Sequence, residues 1–178
     1  LVDISGGDIT LDSNQSCYGI YAFSSGNIGV NVTGATIDVG YNAGDKAAGT
    51  YRASVGVFLA STNNANKITL TNTNVRCYEI GVLVDGGSLD IKGGASVQNQ
   101  ILTRKASSVV VKDGSVSFDS SCNYVITSYT TRSDNTTNLF DITLPTINES
   151  TDAAYDNYDG IYVSGGNFTS DGDIKLTH

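Results

Sequence analysis

Two groups of acidic residues could hold a metal ion: Asp171 and Asp173, which flank Gly172, and a larger group in one polar segment. Asp152, Asp156 and Asp159 lie close together there. Carboxylate oxygens suit hard cations, but this group does not follow the spacing of a complete calcium loop. We therefore interpret the segment as a solvated loop and expect no metal and no cofactor. These three residues are the metal candidates that remain.

A catalytic pair of carboxylates is the other chemistry to consider, because hydrolases that cleave polysaccharides use two facing acids. The first strand of each repeat is expected to point some side chains outward, and Asp85 is the one carboxylate among all of these outward residues. Its expected neighbour on the next repeat is Arg104. That placement predicts a cross-strand ion pair. His178, the single histidine, ends the chain, so histidine-based arrangements lack their usual member. The sequence predicts no catalytic residue.

Six large apolar residues take one outward position in successive copies of a repeated strand. They are Tyr21, Phe58, Leu83, Leu102, Ile126 and Tyr162. Exposed apolar patches of a few hundred Å² usually bind something, so this stripe is a candidate contact surface for a ligand or a partner. Three alternatives stay open: an inserted loop of the same chain covers the stripe, another subunit or domain contacts it, or its aromatic rings stack on sugars.

The strand that carries the stripe belongs to a unit that recurs along the chain. In its clearest copy, residues 80–91, apolar and polar residues alternate on both sides of Gly86 and Gly87. This pattern predicts two short strands that meet at a tight corner. The equivalent positions in successive copies are Ile20, Val57, Val82, Ile101, Val125 and Ile161. Their spacing gives a unit of about 20 to 25 residues, a length typical of solenoid repeats.

Each unit holds three short strands, and each strand buries one face. Stacking of inward residues on the next unit predicts an all-β parallel β-helix, or β-solenoid, of about seven three-strand coils. Polar insertions are expected at 40–52, 128–138 and 149–158, with a short helical turn at 43–48 in the first. A β-sandwich is the alternative fold, although its strands would not repeat one corner chemistry.

Composition limits the class of protein. The chain has 178 residues, 39% hydrophobic and 16% charged, which is typical of one folded domain over residues 1–178. A net charge of −8 with scattered basic residues argues against a nucleic-acid partner. No apolar run approaches the roughly 20 residues of a membrane-spanning helix, so membrane insertion is not expected. The chain contains no methionine, which predicts a piece of a longer protein.

The three cysteines fall in different predicted coils. Cys17, Cys77 and Cys122 are therefore expected to lie beyond disulfide reach of one another. They are interpreted as small buried apolar residues.

The motifs Gly-Ile-Tyr-Ala at 19–22, Gly-Ile-Tyr-Val at 160–163 and Asp-Ile-Thr-Leu at 8–11, with the Ser-Gly-Gly corners, carry a family resemblance. On them the chain resembles right-handed parallel β-helix proteins. It looks most like passenger or adhesin regions of bacterial surface proteins, and more distantly like the pectin-lyase-like superfamily. The resemblance implies a right-handed coil and an extracellular or cell-surface location. Three cysteines depart from the pattern of typical passengers.

These observations lead to an expected function without catalysis, in a secreted or cell-surface module with a structural or adhesive role. The expected partners are further copies, stacked end to end or side by side, and a polysaccharide or host surface. The alternative is a carbohydrate-binding or polysaccharide-degrading β-helix, such as a lyase, a hydrolase or a phage tail-spike-like protein. Its active carboxylates would sit in the inserted loops.

Overall fold

The computed structural model describes residues 1–13, 17–41, 54–77, 80–99, 107–122, 124–127, 161–172 and 174. Residues 42–52 of the first predicted insertion, with its helical turn, and the other two insertions lie outside these ranges. The same is true of Ile101, Leu102 and Arg104, and of the metal candidates Asp152, Asp156 and Asp159. Gly40 and Tyr41, which were expected to open the first insertion, instead complete a strand.

The described residues form fourteen strands. They are β1 (Val2–Ser5), β2 (Asp8–Ser13), β3 (Cys17–Ser24), β4 (Gly29–Thr33), β5 (Thr36–Tyr41), β6 (Ser54–Ser61), β7 (Lys67–Thr71), β8 (Asn74–Cys77), β9 (Ile80–Lys92), β10 (Ser96–Asn99), β11 (Ser107–Phe118), β12 (Tyr124–Thr127), β13 (Ile161–Val163) and β14 (Asn167–Ser170). Within the described ranges there is no helix, which confirms the all-β prediction. Alternating β-branched residues such as Val30 and Val32 in β4 account for the strand preference.

Every strand pair in the described ranges is parallel. One sheet has five strands in the order β12-β10-β8-β5-β2, and the other has nine. The nine-stranded sheet has two branches, because β9 and β11 each run through a glycine corner and pair on both sides of it. We call them the aromatic branch (residues 17–24, 54–61, 80–85, 107–113 and 161–163) and the polar branch (residues 2–5, 29–33, 67–71, 88–92, 115–118 and 167–170).

The chain visits these three surfaces in a repeating order. β3, β4 and β5 lie in the aromatic branch, the polar branch and the five-stranded sheet, and β6, β7 and β8 follow the same path. Next, β9 supplies both branches before β10, and β11 supplies both before β12. The three-strand unit predicted from the corner motif is therefore present as successive parallel pairings.

A single hydrophobic cluster joins the inward faces of both branches and the five-stranded sheet. Val82 and Val84 from the aromatic branch, Leu89 from the polar branch and Val97 from the five-stranded sheet are all buried in it, as predicted. Burying one such side chain contributes about 1.5–3 kcal/mol. The inward faces of the three surfaces are thus equivalent in chemistry.

The predicted alignment of the later units was wrong. Val82 pairs with Val109, and Val109 pairs with Ile161, so Val109 takes the position assigned to Ile101. Val125 was expected in the same column, but it pairs with Val97 in the five-stranded sheet. The cause lies in the corner of β11, which has one glycine, Gly114, where β9 has two, and its pairing with β9 is irregular there.

Glycines inside the strands of the aromatic branch are explained by close approach. A Cβ atom on Gly56 would lie 2.4 Å from Cγ1 of Val75 and 2.6 Å from the backbone oxygen of Gly81. Real Cβ atoms do not come so near, so a larger residue would push apart two neighbouring strands. The recurring glycine in the sequence marks this contact.

A buried asparagine ties neighbouring units together beside a corner. Oδ1 of Asn66 accepts a hydrogen bond from the backbone N–H of Ile28 at 2.8 Å, and its Nδ2 donates to Ser61 Oγ at 2.8 Å and to the backbone oxygen of Ser24 at 3.1 Å. Its backbone oxygen accepts from the N–H of Ser88 at 2.9 Å. Because its polar atoms are paired, this burial carries no unpaired-group penalty.

No disulfide joins the three cysteines, all of which lie in the described ranges. Cys77 is buried, as predicted, while Cys17 and Cys122 are half-buried and pack against the edge of the core. Their main contribution is apolar contact.

Candidate functional site

The first three residues of the predicted stripe occupy one column of paired positions. Tyr21 pairs with Phe58, and Phe58 pairs with Leu83, on successive strands of the aromatic branch. The column then continues through Val110 to Tyr162. Val110 holds the position assigned to Leu102.

Ile126 does not belong to this column. It pairs with Gln98 in the five-stranded sheet, whereas the stripe runs along the aromatic branch. The error follows from the misaligned repeat, in which Val125 was taken as an equivalent of Val82. Because β12 belongs to the five-stranded sheet, Ile126 cannot take a position in the stripe.

Exposure divides the stripe into two parts. Leu83 and Val110 are each 6% exposed and form a small apolar cluster with Val55, Ile80 and the half-buried Phe58. Separate from the main core, this cluster lies at outward positions. The stripe is therefore not one open surface, and its accessible part lies toward its ends.

At one end, four rings form what we call the aromatic cluster: Tyr18, Tyr21, Phe23 and Phe58. Ring centroids of Tyr21 lie 5.1 Å from Phe58, 5.2 Å from Tyr18 and 6.2 Å from Phe23. Each of these pairs is close to parallel, with interplanar angles of 27–28°. Such contacts contribute about 0.5–1.5 kcal/mol beyond simple area burial. The rings are thus held in place by one another.

Tyr18 is the member of the cluster that sequence reasoning missed. Side chains on a strand alternate between faces, so residues three apart should point to opposite sides. Tyr18 and Tyr21 nonetheless stack, while Gly19 and Ile20 between them are half-buried. Alternation is interrupted at Gly19, where an added Cβ would lie 2.6 Å from the backbone oxygen of Gly56. The only sequence signal was this glycine.

The aromatic cluster remains open to solvent. Tyr18 is 39% exposed, Tyr21 52% and Phe23 69%. Exposed rings lose little conformational freedom when a ligand covers them, and Tyr adds a hydroxyl that can donate or accept a hydrogen bond. This arrangement can bind a flat apolar face that carries polar groups at its edge.

Asp85 is paired with Ala60 on one side and with Asp113 on the other, so Asp113 holds the position that was expected for Arg104. Arg104 itself lies outside the described residues. Asp85 and Asp113 are both exposed. Two like charges at paired positions repel each other, so they are no substitute for the predicted ion pair.

Charged side chains of the polar branch form ion pairs with one another. The carboxylate of Asp90 lies between Lys67 and Lys92, and Ser117 Oγ donates to its Oδ1 at 3.0 Å. Burial raises the pKa of Asp90, but the hydrogen bonds from Lys67 and Ser117 and the charges of both lysines outweigh it, so the pKa lies below its ordinary value. Asp90 is therefore ionised at neutral pH and does not act as a proton donor.

A second structural pair lies on the five-stranded sheet. Nε of Arg76 donates to Oδ1 of Asp38 at 2.7 Å, and its second nitrogen contacts Oδ2, which makes the pair bidentate. Paired strands carry the two residues at matching positions, so the contact supports the alignment of β5 with β8.

The thiol of Cys122 is held in its protonated form. Burial is the main cause that raises its pKa to about 11, and the neighbouring Asp119 adds to the effect. Its Sγ donates to the backbone oxygen of Ile91 at 2.9 Å. Because the thiolate is the reactive species, this cysteine is not prepared for nucleophilic chemistry.

Among the described residues, no group of three or more His, Cys, Asp or Glu side chains could hold a metal ion, and no helix is long and apolar enough to cross a membrane. The chain matches no known protein-family model, no curated protein sequence and no solved structure.

Proposed function

We propose that the chain is a right-handed parallel β-helix of about seven three-strand coils that acts, without catalysis, as an adhesive or structural module. We place it outside the cell or at a cell surface, in line with the family resemblance of its motifs. Support for the coil comes from the repeating order of strands and from parallel pairing throughout the described ranges. Crossovers between parallel strands are right-handed in about 98% of cases, which favours that hand.

The observation that carries the adhesive role is the aromatic cluster. Tyr18, Tyr21 and Phe23 expose stacked rings on the aromatic branch, whereas Leu83 and Val110 in the middle of that face are buried. Exposed rings fixed by their neighbours cost little to order on binding. They are the part of the surface best suited to hold a partner.

A polysaccharide is the partner that this cluster fits. Sugar rings have apolar C–H faces that stack on aromatic rings and hydroxyl edges that pair with polar groups. Asp85 and Asp113, two and three strands away from Phe23 along the same column, supply further acceptors for a longer glycan. A glycan-coated surface would therefore satisfy both the rings and their surroundings.

The test compares the double variant Tyr21→Ser/Phe23→Ser with Tyr162→Ser, which removes a ring of similar exposure from the other end of the column. Retention on immobilised polysaccharides and calorimetry with soluble oligosaccharides measure binding. We expect the double variant to lose about tenfold or more in affinity, equivalent to about 1.4 kcal/mol, and the control to bind as the wild type does. Equal binding by both variants would contradict the proposal.

The same protein samples also test two other functions, self-assembly and catalysis. If copies stack side by side through the aromatic cluster, sedimentation will show that the double variant dissociates while its glycan binding is unchanged. If the chain instead degrades polysaccharides, incubation with them will release new reducing ends or unsaturated products. Either result would replace glycan adhesion as the function of this surface.

A further inference from the structure

A polar groove opens at the corner where the aromatic branch turns into the polar branch. Its volume is about 280 Å³, and its lining consists of Asn64, Gly87, Ser88, Asp113, Gly114, Ser115, Gly166 and Asn167. Ligand pockets for small molecules start at about 300 Å³, so this groove suits a single small ring. It lies apart from the aromatic cluster and has no part in the predicted stripe.

The floor of the groove is fixed by close contact between successive corners. A Cβ on Gly114 would lie 2.2 Å from the backbone oxygen of Gly87, and one on Gly166 would lie 2.3 Å from that of Gly114. Both glycines have positive φ values, +82° and +72°. The floor is therefore tightly stacked backbone that has little room to move.

Hydrogen-bonding groups rise from this floor in one column. Ser88 pairs with Ser115, and Ser115 pairs with Asn167, so their side chains repeat at the strand spacing of about 4.8 Å. Serine hydroxyls and the asparagine amide both donate and accept hydrogen bonds. Such a lining fits a ligand that is itself rich in hydroxyl groups.

Asp113 forms the wall of the groove on the side of the aromatic branch. Its Oδ1 accepts a hydrogen bond from the backbone N–H of Gly114 at 2.7 Å, which orients the carboxylate. A carboxylate only accepts hydrogen bonds, so it complements the donor O–H or N–H groups of a sugar.

The local charge excludes acidic ligands. Asp85 and Asp113 occupy paired positions, and within the described part of the chain the ion pairs join lysine or arginine to Asp38 and Asp90 instead. Lys112 is exposed and precedes Asp113 on β11, and Lys67, at the position paired with Ser88, forms an ion pair with Asp90. Two carboxylates thus face one ammonium group that has no ion-pair partner among the described residues. With a net charge of −8 over the chain, a ligand carrying carboxylate or sulfate groups would be repelled.

One surface column connects the groove to the aromatic cluster. Phe23 pairs with Ala60, Ala60 with Asp85, and Asp85 with Asp113. Three steps at the strand spacing give a path of about 14 Å, which is longer than one sugar. The path runs across the strands, along the direction in which the units stack.

We propose that the corner groove is a second sugar subsite, which together with the aromatic cluster binds an oligosaccharide free of acidic groups. This inference rests on the glycan-binding function proposed above. One sugar stacks on the rings near Phe23, the chain follows Ala60 and Asp85, and a further sugar enters the groove at Asp113. The ligand is uncharged or carries amino groups.

The experiment uses three oligosaccharides of equal length as probes: N-acetylglucosamine oligomers, which are neutral, glucosamine oligomers, which are cationic, and galacturonic acid oligomers, which are anionic. Calorimetry at low salt gives their affinities for the wild-type chain. We expect the anionic probe to bind at least about tenfold more weakly than the neutral one, because the carboxylates repel it.

Two variants locate the second subsite. Asn167→Trp fills the groove from an exposed position, and Thr169→Trp is its control on the same strand, at an exposed position outside the lining. We expect only Asn167→Trp to weaken the neutral probe, by about tenfold. Asn64→Trp, on another part of the lining, repeats the test should Asn167→Trp fail to fold.

The double variant Asp85→Asn/Asp113→Asn tests the charge while keeping Oδ1 of residue 113 as an acceptor for Gly114. It should raise the affinity for the anionic probe about tenfold relative to the affinity for the neutral probe.

If Asn167→Trp binds all probes as Thr169→Trp does, while Tyr21→Ser/Phe23→Ser still reduces binding, the second subsite is wrong and the proposed function stands. If the anionic probe is as weak with the double asparagine variant as with the wild type, the charge selectivity is wrong. If none of the probes binds the wild-type chain, the proposed glycan binding fails together with this inference.

Discussion

The two branches of the nine-stranded sheet share a core but differ on their outer faces. On the aromatic branch the central outward column is Tyr21, Phe58, Leu83, Val110 and Tyr162. On the polar branch the corresponding column is Asp3, Asn31, Thr69, Asp90, Ser117 and Thr169. Inward residues of both branches belong to one hydrophobic cluster.

The difference shows which outer side chains already form hydrogen bonds within the fold. Polar-branch side chains pair along their column: Asn31 Nδ2 donates to Asp3 Oδ1 at 2.8 Å, and Ser117 Oγ donates to Asp90. The aromatic branch offers rings that contact one another and still face solvent. A partner gains more by covering apolar rings than by competing for hydrogen bonds that already exist.

The largest expected effect tests whether the branches differ only on the outside. Val82→Asp on the aromatic branch and Ile91→Asp on the polar branch each place a carboxylate at a buried position. An unpaired buried charge costs more than about 4 kcal/mol, so both variants should fail to accumulate as soluble folded protein.

Expression yield, circular dichroism and gel filtration measure this outcome. Thr169→Asp, at an exposed position of the polar branch, is the control that should fold. A folded Val82→Asp variant would show that the inward assignment is wrong. A different result for Ile91→Asp would show that the two branches do not contribute equally to the shared core.

An intermediate effect is expected at the corner that separates the branches. Gly114→Ala combines a positive φ with a Cβ 2.2 Å from the backbone oxygen of Gly87, and Gly6→Ala has a similar φ of +70° with no atom near the added Cβ. We expect Gly6→Ala to lower the free energy of unfolding by about 1–2 kcal/mol through backbone strain alone. Gly114→Ala should cost at least about 3 kcal/mol because the corners must move apart.

Urea unfolding monitored by circular dichroism gives both values. The difference between the two variants isolates the cost of packing one corner on the next. Equal losses would mean that the corners have room to separate, and that the groove floor between the branches is not rigid.

The smallest expected effect concerns the charges of the polar branch. Asp90→Asn removes the contacts with Lys67 and Lys92, whose side chains are 47% and 46% exposed, so solvent screening limits the loss to about 0.5–1 kcal/mol at neutral pH. The folded-state pKa of Asp90 is lowered. Its stabilisation is therefore present above the unfolded-state pKa of about 4 and is lost as pH falls through the folded-state value.

Urea unfolding at a series of pH values from neutral downward checks this sign. The wild-type chain and Asp90→Asn should converge in stability at low pH, whereas Tyr21→Ser on the aromatic branch should differ from wild type by the same amount over that range. A gap for Asp90→Asn that does not change with pH would show that the ion pairs do not stabilise the polar branch.

Several parts of the fold were predictable because they depend on local patterns. Alternation in residues 80–91 gave the buried positions Val82, Val84, Leu89 and Ile91 correctly. The glycine pair at 86 and 87 marked the corner, where positive φ values of +93° and +82° disfavour other residues. Tyr21, Phe58 and Leu83 were placed in one column because each follows a strand glycine by two residues, at Gly19, Gly56 and Gly81.

Other parts were not predictable because they depend on which strands meet. The unit that contains Val109 has only Gly114 at its corner, so the motif was missed and Leu102 and Ile126 were assigned to the stripe in place of Val110. The stacking of Tyr18 on Tyr21 breaks the alternation on which the prediction depended. Burial of Leu83 and Val110 at outward positions gave no signal in the pattern of either strand.

By itself, the sequence determined the β-structure, the three-strand unit and the chemistry of the inward faces, because alternation and corner glycines act within a few residues of one another. Tertiary structure decided which outward rings stay exposed, and it brought Asp85 beside Asp113 and placed Asn64 and Asn167 on the lining of one groove. These contacts join residues from different units. Their partners are set by the alignment of whole strands across the sheet, which patterns within one strand do not specify.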